Sequence, residues 1–402
     1  MNDDDLFARI RARRLALGMS QKVFADRMGK SLGWARKLEA GGLQVPKLHM
    51  LARIAKVLEC RDLAELTGDT LAVDLERFAA VAAHSSLPVV RHALLTARVD
   101  TPTHAVNLDH LRERVRMAWK VRHESPDHRS QLAARLPGLI RDAQRAVRQR
   151  TGAERREARR VLADVYRLTD FYVAWQPDPG LLWLVVDRAV AEGQETDDPV
   201  AIAGGSWALV QALRETGSWD QALDVGAHAL TLLEPRIETA NTEWRAMIGA
   251  MRAEQALTYA RKGRYGDAWR YWESAQDVIV KLPAGYRHVQ SSFSVPVMQA
   301  NAVTLGVELC RPGEALRAAN FDPASIGSRP RRARHLIEVA RIHDQLGDDA
   351  ATLATLQSAV NTAHETARFN GWARQLALKL RDKPPSGQRD AARELAARVG
   401  VH

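Results

Sequence analysis

Cysteine is nearly missing: Cys60 and Cys310 are the two in 402 residues. Thiols this few and this far apart exclude a disulfide scaffold and point to a reducing compartment, the cytoplasm. No stretch reaches the roughly 18 apolar residues that a membrane span needs. The acidic start MNDDDL has no apolar run behind it to serve as an export signal. Period-2 alternation is absent, which argues against β-strands. Catalytic signatures are also lacking: no Gly-rich phosphate loop, no H-E-x-x-H, no Cys-x-x-Cys. HESPDH (123–128) holds two histidines, but Pro126 breaks the helix that metal spacing requires. No enzyme activity, cofactor or metal is expected.

What is present is helical and basic. Hydrophobic residues make up 46% and charged residues 26%, the balance of a soluble globular protein. Ala, Leu, Arg, Glu and Gln dominate, and apolar residues recur at three- and four-residue spacing nearly throughout, so the fold class is all-α. The net charge of +10 sits mostly within the first 170 residues and favours an anionic partner. Arg outnumbers Lys 48 to 10, a mark of GC-rich coding more than of chemistry.

A chain this long needs more than one core. Residues 1–69 read as a five-helix unit, with helices near 4–17, 20–28, 31–39, 47–58 and 61–66. Gly18, Ser20, Gly29, Ser31, Gly41-Gly42 and Pro46 punctuate them. A helix near 72–83 and a looser stretch containing Pro88 and Pro102 make 70–106 a helical linker. From 107 to 385 helices come in pairs, and 386–402 is a tail or capping helix. Three turns look alike: ETGSWDQAL (215–223), RKGRYGDAW (261–269) and QLGDDAATL (345–353). Aligned on their first Gly, they put Ala229, Ala275 and Ala359 at one place in the following helix. CRPGEALRAA (310–319) and QPDPGLLWLVVDRAV (176–190) fit as further units. Such self-similarity indicates a solenoid of helix pairs, each unable to bury its apolar face alone. Small residues stand where helices cross closely, and Trp219, Tyr265 and Trp272 are expected to fill the space beside them. Over roughly 150–380 the pattern resembles tetratricopeptide repeats, departing from them in its longer period and its lack of a regular terminal Pro.

In MSQKVFADRMGKSLGWARKLEAGG (19–42), Met19, Phe24, Ala25, Met28, Ala35 and Leu38 form one apolar set for two steeply crossing helices. Ile10 and Leu15 before it, and Leu48, Leu51, Ile54 and Leu58 after it, complete the core. Ser20-Gln21, Ala25, Gly29, Ser31 and Glu39-Ala40-Gly41 resemble the lambda-repressor-like helix-turn-helix family over about residues 6–67. The resemblance implies that 31–39 is a recognition helix for the DNA major groove. The expected DNA-binding residues are Gln21, Lys22, Lys30, Ser31, Leu32, Gly33, Trp34, Arg36 and Lys37. Gln21 suits a phosphate or an adenine edge, Arg36 a guanine and Lys37 a phosphate. Trp34 can pack on a thymine methyl or sugar, or serve the head's own core. Gly33 costs about 1 kcal/mol of helix stability, which suggests close approach there.

Further on, Arg141, Arg145 and Arg148 share a helix face and RREARR (155–160) follows; these either touch DNA phosphates or an acidic ligand, or form a solvated face. In a tetratricopeptide-like unit the first helix lines the concave groove. Counting back from Gly217 and Gly347 puts Trp207, Gln211, Arg214, Arg341 and Gln345 there as ligand candidates.

A DNA-reading head on a repeat body resembles Gram-positive peptide-sensing (quorum-sensing) regulators and a set of actinobacterial regulators. The expectation is a cytoplasmic, nucleoid-associated homodimer on a palindromic operator of double-stranded DNA, with a peptide or small molecule as effector and no membrane partner. The competing reading is a DNA-tethered adaptor whose repeats hold a protein such as a sigma or anti-sigma factor.

Overall fold

The computed structural model describes residues 3–43, 48–60, 66, 83–99 and 104–401. Among them every regular element is a helix, with no strand. The head contains α1 (Asp3–Ala16), α2 (Gln21–Met28), α3 (Leu32–Glu39) and α4 (Leu48–Val57). The fifth helix expected at 61–66 and the helix expected near 72–83 lie, apart from Leu66 and residue 83, outside the described residues. Ser20 and Ser31 cap α2 and α3, their hydroxyls accepting from the Val23 and Trp34 amides at 3.2 Å. Gly29 ends α2 at φ 62°, a left-handed turn that Gly adopts without a Cβ clash. Leu6, Phe7, Ile10, Met19, Phe24, Ala25, Met28, Ala35, Leu38, Leu51, Ile54, Leu58 and Leu66 make one buried cluster. Leu15, expected in this core, is 57% exposed because α1 turns that position outward.

The body begins with α5 (Leu87–Thr96), where a linker is expected. Val90, Ala93 and Leu94 of α5 are buried within the body's main cluster. Then follow α6 (Leu108–Glu124), α7 (His128–Arg148), α8 (Gly152–Val173), α9 (Pro179–Gln194), α10 (Pro199–Glu215) and α11 (Trp219–Leu233). The chain continues through α12 (Thr242–Arg261), α13 (Tyr265–Ile279), α14 (Val295–Glu308), α15 (Pro312–Ala318), α16 (Arg329–Gln345) and α17 (Asp349–Thr362). It ends with α18 (His364–Phe369), α19 (Gly371–Asp382) and α20 (Arg389–Val399), whose apolar faces form a terminal cluster with α16 and α17.

These are packed helical repeats. Gly217, Gly263 and Gly347 begin three equivalent turns at φ 84°, 74° and 78°, and Cys310 takes that place in a fourth at φ 56°. Ala229, Ala275 and Ala359 are buried at the helix crossings. Where α9 crosses α10 and α14 meets α15 the approach is closer still: a Cβ on Gly205 would lie 2.8 Å from the Ala189 carbonyl oxygen, and one on Gly306 2.9 Å from the Ala315 Cα. Of the aromatics expected to fill the crossings, Trp219 is buried and Trp272 packs against the core, but Tyr265 stands exposed at the first turn of α13.

The first helices of the repeats, α6, α8, α10, α12, α14 and α16, touch in succession, and α16 returns to α6. The His123 ring at the end of α6 hydrogen-bonds the Ser328 hydroxyl at the start of α16 across 2.9 Å. Glu365 of α18 accepts from the Arg129 amide and the Ser130 hydroxyl, both at 2.5 Å, at the start of α7. The repeats therefore make one closed turn around a lumen lined by their first helices.

Candidate nucleic-acid interface

Helices α2 and α3 form the expected pair. Behind them lies a buried polar set that sequence reasoning missed. Arg14 of α1 forks onto Glu39 at the end of α3, with Nη2 to Oε2 at 2.9 Å, and Gln21 Nε2 donates to the same oxygen at 2.8 Å. Burial alone would raise the Glu39 carboxyl, yet the hydrogen bonds from Arg14 and Gln21 hold it below its ordinary value. Glu39 thus ties all three helices together. The available signal was an acid at the C-terminal end of α3, where the helix dipole disfavours it. Gln21, expected to contact DNA, is half-buried and gives one hydrogen bond to Glu39.

The other expected DNA-reading residues divide in two. Lys22, Gly33 and Arg36 are exposed, and Leu32 is half-buried. A Cβ at Gly33 would meet only the Ser31 hydroxyl, at 3.8 Å, so nothing among the described residues requires Gly in that helix. Lys30, Ser31, Trp34 and Lys37 instead lie against the body. Lys30, expected at the surface, is 8% exposed. Its ammonium donates to the Arg261 carbonyl at the end of α12 and sits 3.5 Å from the Trp219 ring centroid. Burial lowers the Lys30 pKa to about 7, opposed by Glu308 and reinforced by Arg261, Arg53 and Lys262. Lys37 Nζ donates to the Cys310 carbonyl at 2.9 Å and lies 3.4 Å from that of Leu309. A Cβ on Gly263 would lie 3.1 Å from the Ser31 hydroxyl and 3.7 Å from the Trp34 Cβ. The Trp34 ring tilts against Phe24 at 5.9 Å, which makes it part of the head's packing. One stripe of the recognition helix is therefore seated on the turns that follow α10, α12 and α14.

The helix-turn-helix family model matches residues 10–66. The head is a DNA-binding helix-turn-helix domain of the lambda-repressor-like type, that of a transcription regulator. The match leaves the body unassigned, and no curated protein matches the chain. No helix among the described residues is long and apolar enough to cross a membrane, and no group of His, Cys, Asp and Glu among them could hold a metal.

Two basic features are tied up internally. Arg145 pairs with Asp142 at 3.3 Å, and Arg148 donates to the Ala97 carbonyl at 2.7 Å. In RREARR, Arg159 pairs with Glu192 at 2.7 Å and Arg160 with Glu157 at 2.6 Å, while Arg155 and Arg156 stay exposed.

The ligand candidates lie on α10 and α16, where most are engaged by neighbouring side chains. Gln211 Nε2 donates to Glu254 at 2.9 Å, and Arg214 forms an ion pair with the same carboxylate. Arg341 pairs with Glu338 at 2.5 Å and Glu308 at 3.1 Å, its guanidinium 4.1 Å from the Trp372 ring centroid. Trp207 is buried, and the Gln345 side-chain oxygen is buried with no hydrogen-bond partner. From the basic run RPRRAR (329–334), passed over in the sequence, Arg331 and Arg334 join this charged group, while Arg332 bonds the Ala324 and Ile326 carbonyls.

Proposed function

We propose that this protein is a sequence-specific transcription regulator whose helical body holds the DNA-reading head closed and releases it when a small molecule or peptide enters the lumen. What carries the reading is the seating of Lys30, Ser31, Trp34 and Lys37 on the body. A recognition helix must enter a groove about 12 Å wide with its reading face clear. Here backbone carbonyls of Arg261, Leu309 and Cys310 hold the ammonium groups that DNA would need. DNA and the body compete for one face, so a ligand that shifts the turns after α10, α12 and α14 changes DNA affinity by mass action. The tetratricopeptide-like arrangement suits this, because small rotations between neighbouring repeats add up at the rim. In the released state, Arg36, Lys37 and Gly33 face the groove. Two heads, held by a homodimer, read the halves of a palindrome.

The test is Trp219→Ala, a change on the body that removes the aromatic cover of Lys30. DNA affinity, read by fluorescence anisotropy on a footprinted upstream site, is expected to rise several-fold with helix content unchanged. Equal affinity in the variant and the parent protein would refute closure of the head by the body. Analytical ultracentrifugation of the DNA complex checks the stoichiometry: one chain per palindrome would exclude the dimer.

A further inference from the structure

The lumen holds a group of arginines that the surrounding carboxylates balance only in part. Arg122 of α6, Arg129 of α7, and Arg331 and Arg334 of α16 converge there. After burial, the charge of Arg334 is the strongest influence on each of the other three, lowering Arg122, Arg129 (to about 10) and Arg331 (to about 9). Arg122 is 2% exposed, and its Nε and Nη1 have no hydrogen-bond partner. Its guanidinium lies 4.5 Å from the Phe171 ring centroid, and that of Arg331 lies 5.8 Å from the ring centroid of Trp207. Arg129 gives one bond to the Tyr172 carbonyl at 2.6 Å, and its Nε is unpartnered. Arg331 donates to the Ser291 carbonyl at 3.1 Å. Arg334 makes no hydrogen bond or ion pair among the described residues.

The nearby carboxylates offset them only in part: Glu215, Asp170 and Glu254 pull Arg334 up against its burial and Arg214, and Glu254 does the same for Arg331. Glu254 is taken by Arg214 and Gln211, Glu215 pairs with Arg261, and Glu365 accepts from the start of α7. Asp170 lies among the arginines, but burial raises its pKa to about 7 against the pull of Arg334, Arg122 and Arg129, so it supplies only part of a charge near neutral pH. The segment joining α13 to α14 props the lumen: Gln290 Nε2 donates to the Gly204 carbonyl at 2.9 Å, and His123 meets the Val289 carbonyl at 2.6 Å. On one side of this prop lies a cavity of about 850 Å³ lined by Trp119, Arg167, Trp244 and Arg287. Arg331, bonded to the prop at Ser291, belongs to the arginine group.

Desolvated like charges are unfavourable unless a counter-charge meets them. Guanidinium forks match the planar pair of acceptors of an oxyanion. We propose that Arg122, Arg331 and Arg334, backed by Arg129, bind the oxyanion group, phosphate or carboxylate, of a small ligand whose remainder packs on Trp207 and Phe171. This deepens the sensor reading given above and rests on it for its regulatory meaning, but not for its test. The neighbouring charged residues of the lumen, Arg214, Glu254, Arg261 and Glu308, lead from this site to the rim where Lys30 is held.

Thermal unfolding of the full chain is measured with pyrophosphate and with citrate against chloride of matched ionic strength. At least one is expected to raise the Tm, and which one does so separates phosphate from carboxylate recognition. Arg334→Gln is expected to raise the Tm of the anion-free protein, by relieving repulsion, and to weaken anion binding at least tenfold by calorimetry. An arginine that serves only the fold would do the reverse and lower the Tm. The proposal fails if neither anion exceeds the chloride control, or if Arg334→Gln retains full affinity. Should that variant not fold, calorimetry of the unaltered chain with both anions decides alone. DNA affinity is not read, so the regulator reading stands or falls separately.

Discussion

The head and the body each bury arginine, and they do so differently. In the head, buried Arg14 is matched by Glu39, and Glu39 by Gln21, so this pair is bonded with good geometry. In the lumen, Arg122, Arg129, Arg331 and Arg334 crowd together, Glu215, Glu254 and Glu365 near them are engaged by other groups, and Asp170 among them is weakened by burial. A buried charge that is paired holds helices in place, whereas one left unpaired keeps a site ready for something that arrives later. The head thus reads as a rigid reader, and the body as the part with a state still to be completed.

The largest expected effect breaks the paired half of this comparison. Glu39→Ala leaves the Arg14 guanidinium buried without its carboxylate, and the head should lose about 3–5 kcal/mol. Hydrogen exchange on the full chain should then show the head opening while α6–α20 keep their protection. Equal protection in both regions would mean the pair adds nothing to the head. Arg334→Gln, by contrast, is expected to stabilise, and the opposite signs of the two variants are the sharpest form of the comparison.

Packing comes next. Ala275 is fully buried at a helix crossing, and Ala275→Leu should cost about 1–3 kcal/mol through overpacking. Exchange should quicken around α12 and α13 and stay unchanged in the head, because solenoid stability passes between neighbours. Tolerance of Leu there would show that the crossing has room.

Arg36→Ala should weaken specific DNA binding by about 1–3 kcal/mol if the guanidinium pairs with guanine. Folding should be unaffected, since Arg36 is exposed. Equal loss on random DNA would make it a phosphate contact.

The smallest effect is set by pH at the seam between the two regions. Burial lowers the Lys30 pKa from its ordinary 10.5 to about 7 when the head is seated. The closed arrangement therefore binds fewer protons than the open one between those values, and raising the pH through this window favours closure. Glu308, Arg261, Arg53 and Lys262 face the ammonium and set this value. From pH 7 to pH 8 the closed form should gain about fivefold, seen as weaker DNA binding. Lys30→Met, which has no charge to lose, should remove the dependence.

The helical periodicity, the caps Ser20 and Ser31, the turn glycines and the small residues at crossings are near-neighbour properties, and each was legible in the sequence because each acts over a few residues. So was the helix-turn-helix domain, whose motif is contiguous. Even there, Leu15 was misplaced, because the periodicity of α1 does not say which of its faces packs inward, and nothing local shows that Glu39 reaches back to Arg14 and Gln21. The sequence places Trp207, Gln211, Arg214 and Arg341 on the first helices of the repeats, and α10 and α16 carry them. The arginines at 122, 129, 331 and 334 drew no reading from the sequence, because they come together only once α16 has closed back on α6. The seats of Lys30 and Lys37 were hidden for the same reason: the partners of these two side chains lie more than 200 residues away along the chain. By itself the sequence determined which helices form and that one pair of them reads DNA. Only the tertiary structure decided that this pair is covered and that the lumen gathers partly balanced charge, because the closed turn of repeats sets which distant turns and side chains come within a few ångströms of each other.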